Sequence, residues 1–255
     1  MNELDDKQGI NGGLRELALF AGAGGGILGG KLLGWKTICA VEFDPYAASV
    51  LAARQNDGIL KAFPIWDNVC TFDGKPWRGR VDVVSGGFPC QDVSVAGRGA
   101  GLDGDRSGLW SEMFRIACEV RPRKVYVENS PALTVRGLGR VIGDLASVGY
   151  DCKWGVVSCR DVGGVHLRER IWIVATDNWG KRVQTGIKQK VYRFSRFPWG
   201  EDVRGIEDLR NRSDLPEPLI QRASDGFSFG MERLKALGNA QVPRVAATAF
   251  NILNG

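Results

Sequence analysis

Glu16-Leu17-Ala18-Leu19-Phe20-Ala21-Gly22-Ala23-Gly24-Gly25-Gly26 decides the architecture of this 255-residue chain. The apolar run Glu16–Phe20 reads as a buried strand, and the glycines after it open a helix predicted over Gly25–Leu33. Glycine there lets the backbone approach a ligand closely, and the helix start offers unpaired N–H groups. Twenty residues beyond Gly22, at the end of a second strand predicted over Thr37–Val41, stands Glu42, placed to accept both hydroxyls of a ribose. The plainer alternative is a tight turn with a solvated glutamate. Gly22, Gly24 and Gly25 behind the bulky Phe20 fit the Gly-x-Gly-x-x-Gly spacing of a dinucleotide site poorly. A nucleoside without pyrophosphate, such as S-adenosylmethionine, suits the loop better.

The alternation of strand and helix runs on to Ala175. Further strands are predicted over Val81–Ser85, Lys124–Val127, Trp154–Ser158 and Arg170–Ala175, with helices over Pro45–Gln55, Leu109–Val120 and Gly139–Val148. This order specifies an α/β fold, a mostly parallel sheet with helices on both faces. Hairpin signals come only late and predict an antiparallel pair at the sheet edge. Residues 1–13 read as a loose polar leader. Residues 177–236 lose the alternation and gain Arg, Lys, Ser and Pro. Lys181, Arg182, Lys188, Lys190, Arg193 and Arg196 fall in one stretch without an acidic residue. That run reads as a phosphate-contacting surface or as a solvated strand. Regular structure is predicted again over Met231–Leu237, followed by a closing apolar helix over Arg244–Leu253. The expected organisation is an α/β catalytic domain, 14–175 and 238–255, carrying a small basic module, 176–237.

Composition narrows the function. With 34 basic and 29 acidic side chains the formal charge is +5, and 44% hydrophobic with 25% charged residues excludes a mainly disordered or fibrous chain. The most apolar stretch, Leu17–Gly30, is broken by glycines and ended by Lys31, too short to span a bilayer. Glu3, Asp5 and Asp6 stand where a secretory signal would be basic. The expectation is a soluble cytoplasmic protein with no membrane partner. The six cysteines form no C-x-x-C, which points away from zinc and from a disulfide framework. His166 is the single histidine, so the chemistry must run on carboxylates, arginines, thiols or a bound cofactor.

Val81–Ser85 runs into Gly86-Gly87-Phe88-Pro89-Cys90-Gln91, which sets Cys90 on a loop at the C-terminal end of a strand, where open parallel sheets hold ligands. A nucleophilic thiol needs thiolate character, and arginine or a substrate group must supply the help that histidine does not. The stretch Val93–Arg106, with Gly97, Gly99, Gly101, Gly104, Arg98 and Arg106, has the composition of a lid over an anionic substrate. In Ile65-Trp66-Asp67-Asn68-Val69, Asp67 either accepts from an adenine amino group or caps a turn.

Phe20–Gly25, Gly87–Gln91, Glu128-Asn129-Ser130, His166-Leu167-Arg168-Glu169-Arg170 and Gly238-Asn239-Ala240-Gln241-Val242 occur in the order and rough spacing of the cytosine-C5 DNA methyltransferases. Over Leu17 to Phe250 the chain resembles the small phage and bacterial members of that family. The resemblance implies the Rossmann-like fold of S-adenosylmethionine-dependent methyltransferases, with the basic module as target-recognition domain. It implies S-adenosylmethionine held by Phe20, Ala21, Gly22, Ala23, Gly24, Gly25, Glu42, Phe43, Asp67, Asn68, Pro89, Leu109, Asn239 and Ala240. Cys90 would add to carbon 6 of a flipped cytosine. Glu128 would hydrogen-bond or protonate ring N3 and the exocyclic amine, Arg168 would hold the base, and Arg170 would brace the loop or the carboxylate. Gln91, Ser94, Arg98 and Arg106 would meet DNA beside the basic run from Lys181 to Arg196. The implied partner is double-stranded DNA, in a prokaryotic or virus-infected prokaryotic cell, with a cognate restriction endonuclease as a further partner; a monomer suits a protein acting on one strand at a time.

The chain departs from that family at Ala18, where an acidic residue is frequent, at Ser130 for Val, at His166 for Gln, and in the shortness of 176–237. The competing readings are a tRNA cytosine-C5 methyltransferase, a non-catalytic DNA- or cofactor-binding homologue, and a nicotinamide oxidoreductase. The last gives the Pro89-Cys90-Gln91 loop and the basic module no purpose.

Overall fold

The computed structural model describes residues 13–89, 108–164, 167–178 and 239–254. Along the chain these form β1 (Arg15–Leu19), α1 (Gly25–Leu32), β2 (Lys36–Val41), α2 (Pro45–Asn56), β3 (Ile65–Trp66), β4 (Val83–Gly86), α3 (Gly108–Val120), β5 (Lys124–Asn129), α4 (Leu133–Arg136), α5 (Leu138–Ser147), β6 (Tyr150–Val157), β7 (Arg170–Asp177) and α6 (Pro243–Asn254). The strands join in one sheet of order β3-β2-β1-β4-β5-β7-β6. β1 to β5 pair in parallel, and β7 runs antiparallel to both neighbours. The α/β fold with a mostly parallel sheet is therefore present, and the late antiparallel pair lies at its edge.

Alternation along the strands sorts the two faces. Leu17 and Leu19 of β1 join Val84, Val125, Val127, Ile171 and Ile173 under α3 and α5, which contribute Met113, Ile116, Val120, Val141 and Leu145. The opposite face carries Val83, Tyr126, Trp172 and Val174 against Val245, Ala246, Ala249 and Phe250 of α6. Ala18 and Ala40 lie against Ile27 of α1 and Leu51 of α2. Each fully buried large apolar side chain contributes about 1.5–3 kcal/mol, so covering both faces dominates the stability. Strand order reverses between β1 and β4, and the crevice at that switch point is where such sheets place ligands.

Local chemistry explains the helices that frame the crevice. α2 starts at Pro45 because Asp44 accepts from Tyr46 N at 2.9 Å and Ala47 N at 3.2 Å. α1 is glycine-rich, which costs about 1 kcal/mol per glycine relative to alanine, so packing must hold it. A Cβ on Gly29 would sit 2.8 Å from Ala246 Cβ and 3.0 Å from the Pro243 carbonyl oxygen. Gly29→Ala should therefore lower stability despite its better helix propensity, since overpacking costs about 1–3 kcal/mol. Gly143→Ala, at an exposed position of α5 with nothing within 4 Å, should instead raise it by up to about 1 kcal/mol. Urea unfolding of the two variants reads both signs.

Four details differ from the sequence reading. β6 begins at Tyr150, not Trp154, because it is an edge strand whose exposed Asp151 and Lys153 hide its pattern. β4 is displaced to Val83–Gly86. β3 is two residues long, and α4 is a single turn after Pro131 that no periodicity announces. The regular structure expected over Met231–Leu237 and nearly all of 176–237 lie outside the described residues, as does 1–12. Among the described residues no helix is long and apolar enough to cross a membrane.

Candidate active site

The crevice between β1 and β4 is a cleft walled by Phe20–Gly22, Ser85–Gly87, Tyr126, Glu128, Trp172 and Asn239–Gln241. On its β1 side the chain turns through left-handed backbone at Phe20 (φ 51°), Gly22 (φ 54°) and Gly24 (φ 85°). For Phe20 this conformation is strained, and such strain persists only where surroundings over-determine it. Ala21 N donates to the Val41 carbonyl at 3.1 Å, and Gly24 N to the Ala21 carbonyl at 2.9 Å. Glu42 braces the loop, accepting from Gly22 N at 2.5 Å and from Asp44 N at 2.8 Å. Each carboxylate oxygen keeps a further lone pair for a ligand hydroxyl.

Gly25 and Gly26 have a second reason to be glycine. A Cβ on Gly25 would strike the Gln241 carbonyl oxygen, and one on Gly26 would lie 2.6 Å from Gln241 Oε1. The segment leading into α6 therefore presses on the start of α1 and puts Gln241 in the cleft wall.

Glu128, at the end of β5, is buried with 9% exposure. Its Oε1 lies 2.8 Å from Arg170 Nε, and its Oε2 accepts from Gln241 Nε2 at 3.4 Å. Burial raises the Glu128 carboxyl above the usual range, opposed by Arg170, Arg168 and Gln241. Gly87 passes so close to Glu128 Oε2 that a Cβ there would collide with it. Arg170 thus takes the carboxylate-bracing place, while Arg168 Nη2 donates to the Ala240 carbonyl at 2.7 Å. Asn129 Nδ2 donates to the Phe88 carbonyl at 3.1 Å, and Phe88 is buried against Trp110 with ring centroids 5.4 Å apart. The base of the Gly87-Phe88-Pro89 segment is therefore fixed to β5 and α3.

The remaining sequence candidates divide by position. Phe43 (76% exposed) and Asp67 lie open to solvent at the ends of β2 and β3. Asn68 caps the turn Val69–Thr71, accepting from Cys70 N at 2.9 Å, and Asp67 accepts from Asn68 N at 2.7 Å. Leu109 packs on the core, Pro89 is exposed, and Asn239 and Ala240 line the cleft. Cys90, Gln91, Ser94, Arg98, Arg106, His166, Lys181, Arg182, Lys188, Lys190, Arg193 and Arg196 lie outside the described residues. Cys39, Cys70, Cys118, Cys152 and Cys159 are free thiols, and no metal-binding group occurs among the described residues. Sequence reasoning passed over Gln241, Glu16, Tyr126 and Trp172. Gln241 stood inside a quoted run, and Glu16 was an acid within an apolar strand. Nothing in the sequence marks Trp172.

Chemically the cleft joins a nucleoside-type loop to an arginine-braced carboxyl, beside the segment that leads to a cysteine. Comparisons with known proteins agree with this arrangement. The chain is 34% identical over 171 residues to the Type II methyltransferase M.Eco47II of Escherichia coli, covering 64% of this chain and 39% of that protein. It is 30% identical over 251 residues to M.HgiCII of Herpetosiphon aurantiacus, covering 94% and 53%. It therefore spans roughly two-fifths to a half of these relatives. A solved structure of a Spodoptera frugiperda DNMT2 mutant shares the fold, with TM-score 0.55 and 18% identity over 72% of this chain and 55% of that one. The family profile for C-5 cytosine-specific DNA methylase matches residues 14–222, all seven strands of the sheet included. With cleft, carboxyl and profile in agreement, the chain belongs to the C-5 cytosine-specific DNA methylases.

Proposed function

We propose that this protein transfers a methyl group from S-adenosylmethionine to carbon 5 of cytosine in duplex DNA. The observation that carries the reading is Glu128, buried and braced by Arg170, set across the cleft from the glycine loop and against Gly87, three residues before Cys90. The residues suit the cofactor. Glu42 is held at the loop with spare acceptor capacity, and among the described residues the acids Glu16 and Glu128 line the cleft with no lysine or arginine, which suits a ligand carrying positive charge. Phe20–Gly25, Glu42, Asn239 and Ala240 would hold it, with Phe43, Asp67, Asn68, Pro89 and Leu109 around its nucleoside end. When bound, it supplies a sulfonium methyl.

Cys90 thiolate bonds to carbon 6 of a cytosine turned out of the helix, and the ring C5=C6 pair shifts onto carbon 5. Glu128 gives ring N3 a proton or hydrogen bond and accepts from the exocyclic amine, so charge does not build up in the ring. Arg168 holds the base. After methylation a base removes the carbon-5 proton, C5=C6 re-forms, and the C6–S bond breaks to return the Cys90 thiolate.

Gln91, Ser94, Arg98, Arg106 and the basic run from Lys181 to Arg196 would meet the duplex, in affinity falling steeply with salt. The division into 14–175 with 238–255 and an inserted recognition module at 176–237 belongs to this reading. So do a monomer, a prokaryotic cytoplasm and a restriction-modification setting with a cognate endonuclease, the last suggested by Type II relatives. Duplex DNA containing 5-fluorocytosine, incubated with protein and S-adenosylmethionine, should give an adduct that survives denaturation, because fluorine does not leave as a proton. Methyl transfer to tRNA but not DNA would replace the substrate; DNA binding with no transfer would remove the enzyme.

A further inference from the structure

Glu16 is an acid in the interior of β1, 1% exposed, and the proposed reaction gives it no task. It shares a strand face with Ala18 and lines the same cleft as Ser85, Tyr126 and Trp172. The Thr37 hydroxyl donates to Glu16 Oε2 at 2.6 Å, and the Ser85 hydroxyl donates to Oε1 at 2.6 Å. Among the described residues its surroundings carry no cation. β2 presents Thr37, β4 presents Ser85, and α1 presents backbone at Gly30, where a Cβ would lie 3.2 Å from Glu16 Oε2. β5 presents Tyr126, whose hydroxyl donates to the Ala246 carbonyl at 2.6 Å. The other acid of the cleft, Glu128, already faces Arg170.

A buried carboxylate without a counter-ion is costly, while the neutral acid is not. Burial pushes the Glu16 carboxyl above its ordinary range, and its hydrogen bonds from Ser85 and Thr37 act against that shift. Both hydroxyls can rotate to donate or accept, so Glu16 stays hydrogen-bonded in either protonation state without repacking. A second observation points to a ligand. Trp172, also 1% exposed and on the cleft wall, has its indole Nε1 buried without an acceptor. An uncompensated acid and an unused donor in one cleft suit a group bearing both charges, the α-amino-acid end of a sulfonium nucleoside.

We infer that Glu16 is a neutral acid in the free protein and releases its proton to solvent when the α-ammonium of the amino-acid end of S-adenosylmethionine or a close analogue enters the cleft. The O–H bond breaks, its electron pair stays on the carboxylate, and the ligand's positive charge replaces the proton. Glu16 is thus a proton-coupled positioning residue, an assignment that rests on the cofactor reading above.

Calorimetric titration of the full chain with S-adenosylmethionine, S-adenosylhomocysteine and 5′-methylthioadenosine, in two buffers of different ionisation enthalpy across a series of pH values, tests it. The two amino-acid ligands should release up to one proton, with affinity rising up to tenfold per pH unit below the Glu16 titration. Methylthioadenosine, which lacks the amino-acid end, should release none. Glu16→Gln should abolish the release and weaken the two amino-acid ligands on the order of tenfold, leaving methylthioadenosine unchanged. Ser85→Ala, which removes a donor to the anion, should move the release to higher pH and serves if Glu16→Gln does not fold. Amino-acid ligands that bind with no buffer dependence overturn the inference and leave the cofactor reading intact. Failure of all three ligands to bind wild-type protein overturns that reading as well. Equal weakening of all three by Glu16→Gln makes the residue merely structural.

Discussion

Cys90→Ser should abolish both methyl transfer and the 5-fluorocytosine adduct, with duplex and nucleoside binding kept near those of the parent protein. A serine hydroxyl is far less ionised than a thiol at neutral pH and is the weaker nucleophile, so it does not add to carbon 6. The substitution exchanges one atom, and the scaffold before it is held independently by the Asn129–Phe88 hydrogen bond and the buried Phe88 ring. Gel-shift binding with labelled-methyl transfer separates the two effects. An adduct that persisted in Cys90→Ser would remove the nucleophile assignment.

Glu128→Gln should slow transfer by about 10²–10⁴-fold, the usual worth of a positioned general acid. The amide can hydrogen-bond to a flipped base but has no proton to give ring N3. The variant also leaves Arg170 without its anion, 2.8 Å away in the parent. Arg170 keeps partial solvent access, so the stability loss should be nearer about 1 kcal/mol than the 3–5 kcal/mol of a fully buried broken pair. Glu128→Gln with Arg170→Leu should recover stability but not activity, which separates the two roles. The pH profile carries a sign. Burial raises the Glu128 carboxyl, so the acid is present below its folded pKa and lost above it; the rate of the Glu128-dependent step should fall as pH rises through that point. Glu128→Gln should flatten that limb, and an unchanged profile would dissociate Glu128 from proton donation.

Much of this site was legible because its signals are local. The apolar run of β1, the glycines behind it, Asp44-Pro45 before α2 and the Gly86-Gly87 turn after β4 each act within a few residues. They suffice to place the crevice. What stayed hidden depends on distant pairing. That β7 inserts between β5 and β6 follows from hydrogen-bond partners such as Glu128 opposite Trp172, which no periodicity encodes. Gln241 reaches Glu128 across 113 positions, so its importance appears only when α6 folds back on α1. The glycines at 25 and 26 read as room for a ligand, yet their closest neighbour is Gln241. Asn68 shows the converse, since its side chain completes a turn that the sequence had already offered as an alternative for its neighbour Asp67.

The return of α6 also sets an order of assembly. On a ribosome, β1 through β7 emerge well before residues 239–254, so a nascent chain can begin its sheet while one wall of the crevice is missing. Glu128 then lacks the Gln241 amide, and the start of α1 stands uncovered. On the proposed reading, competence to hold the nucleoside is acquired only once residues 239–254 emerge, and a nascent chain stalled before that helix would transfer no methyl group.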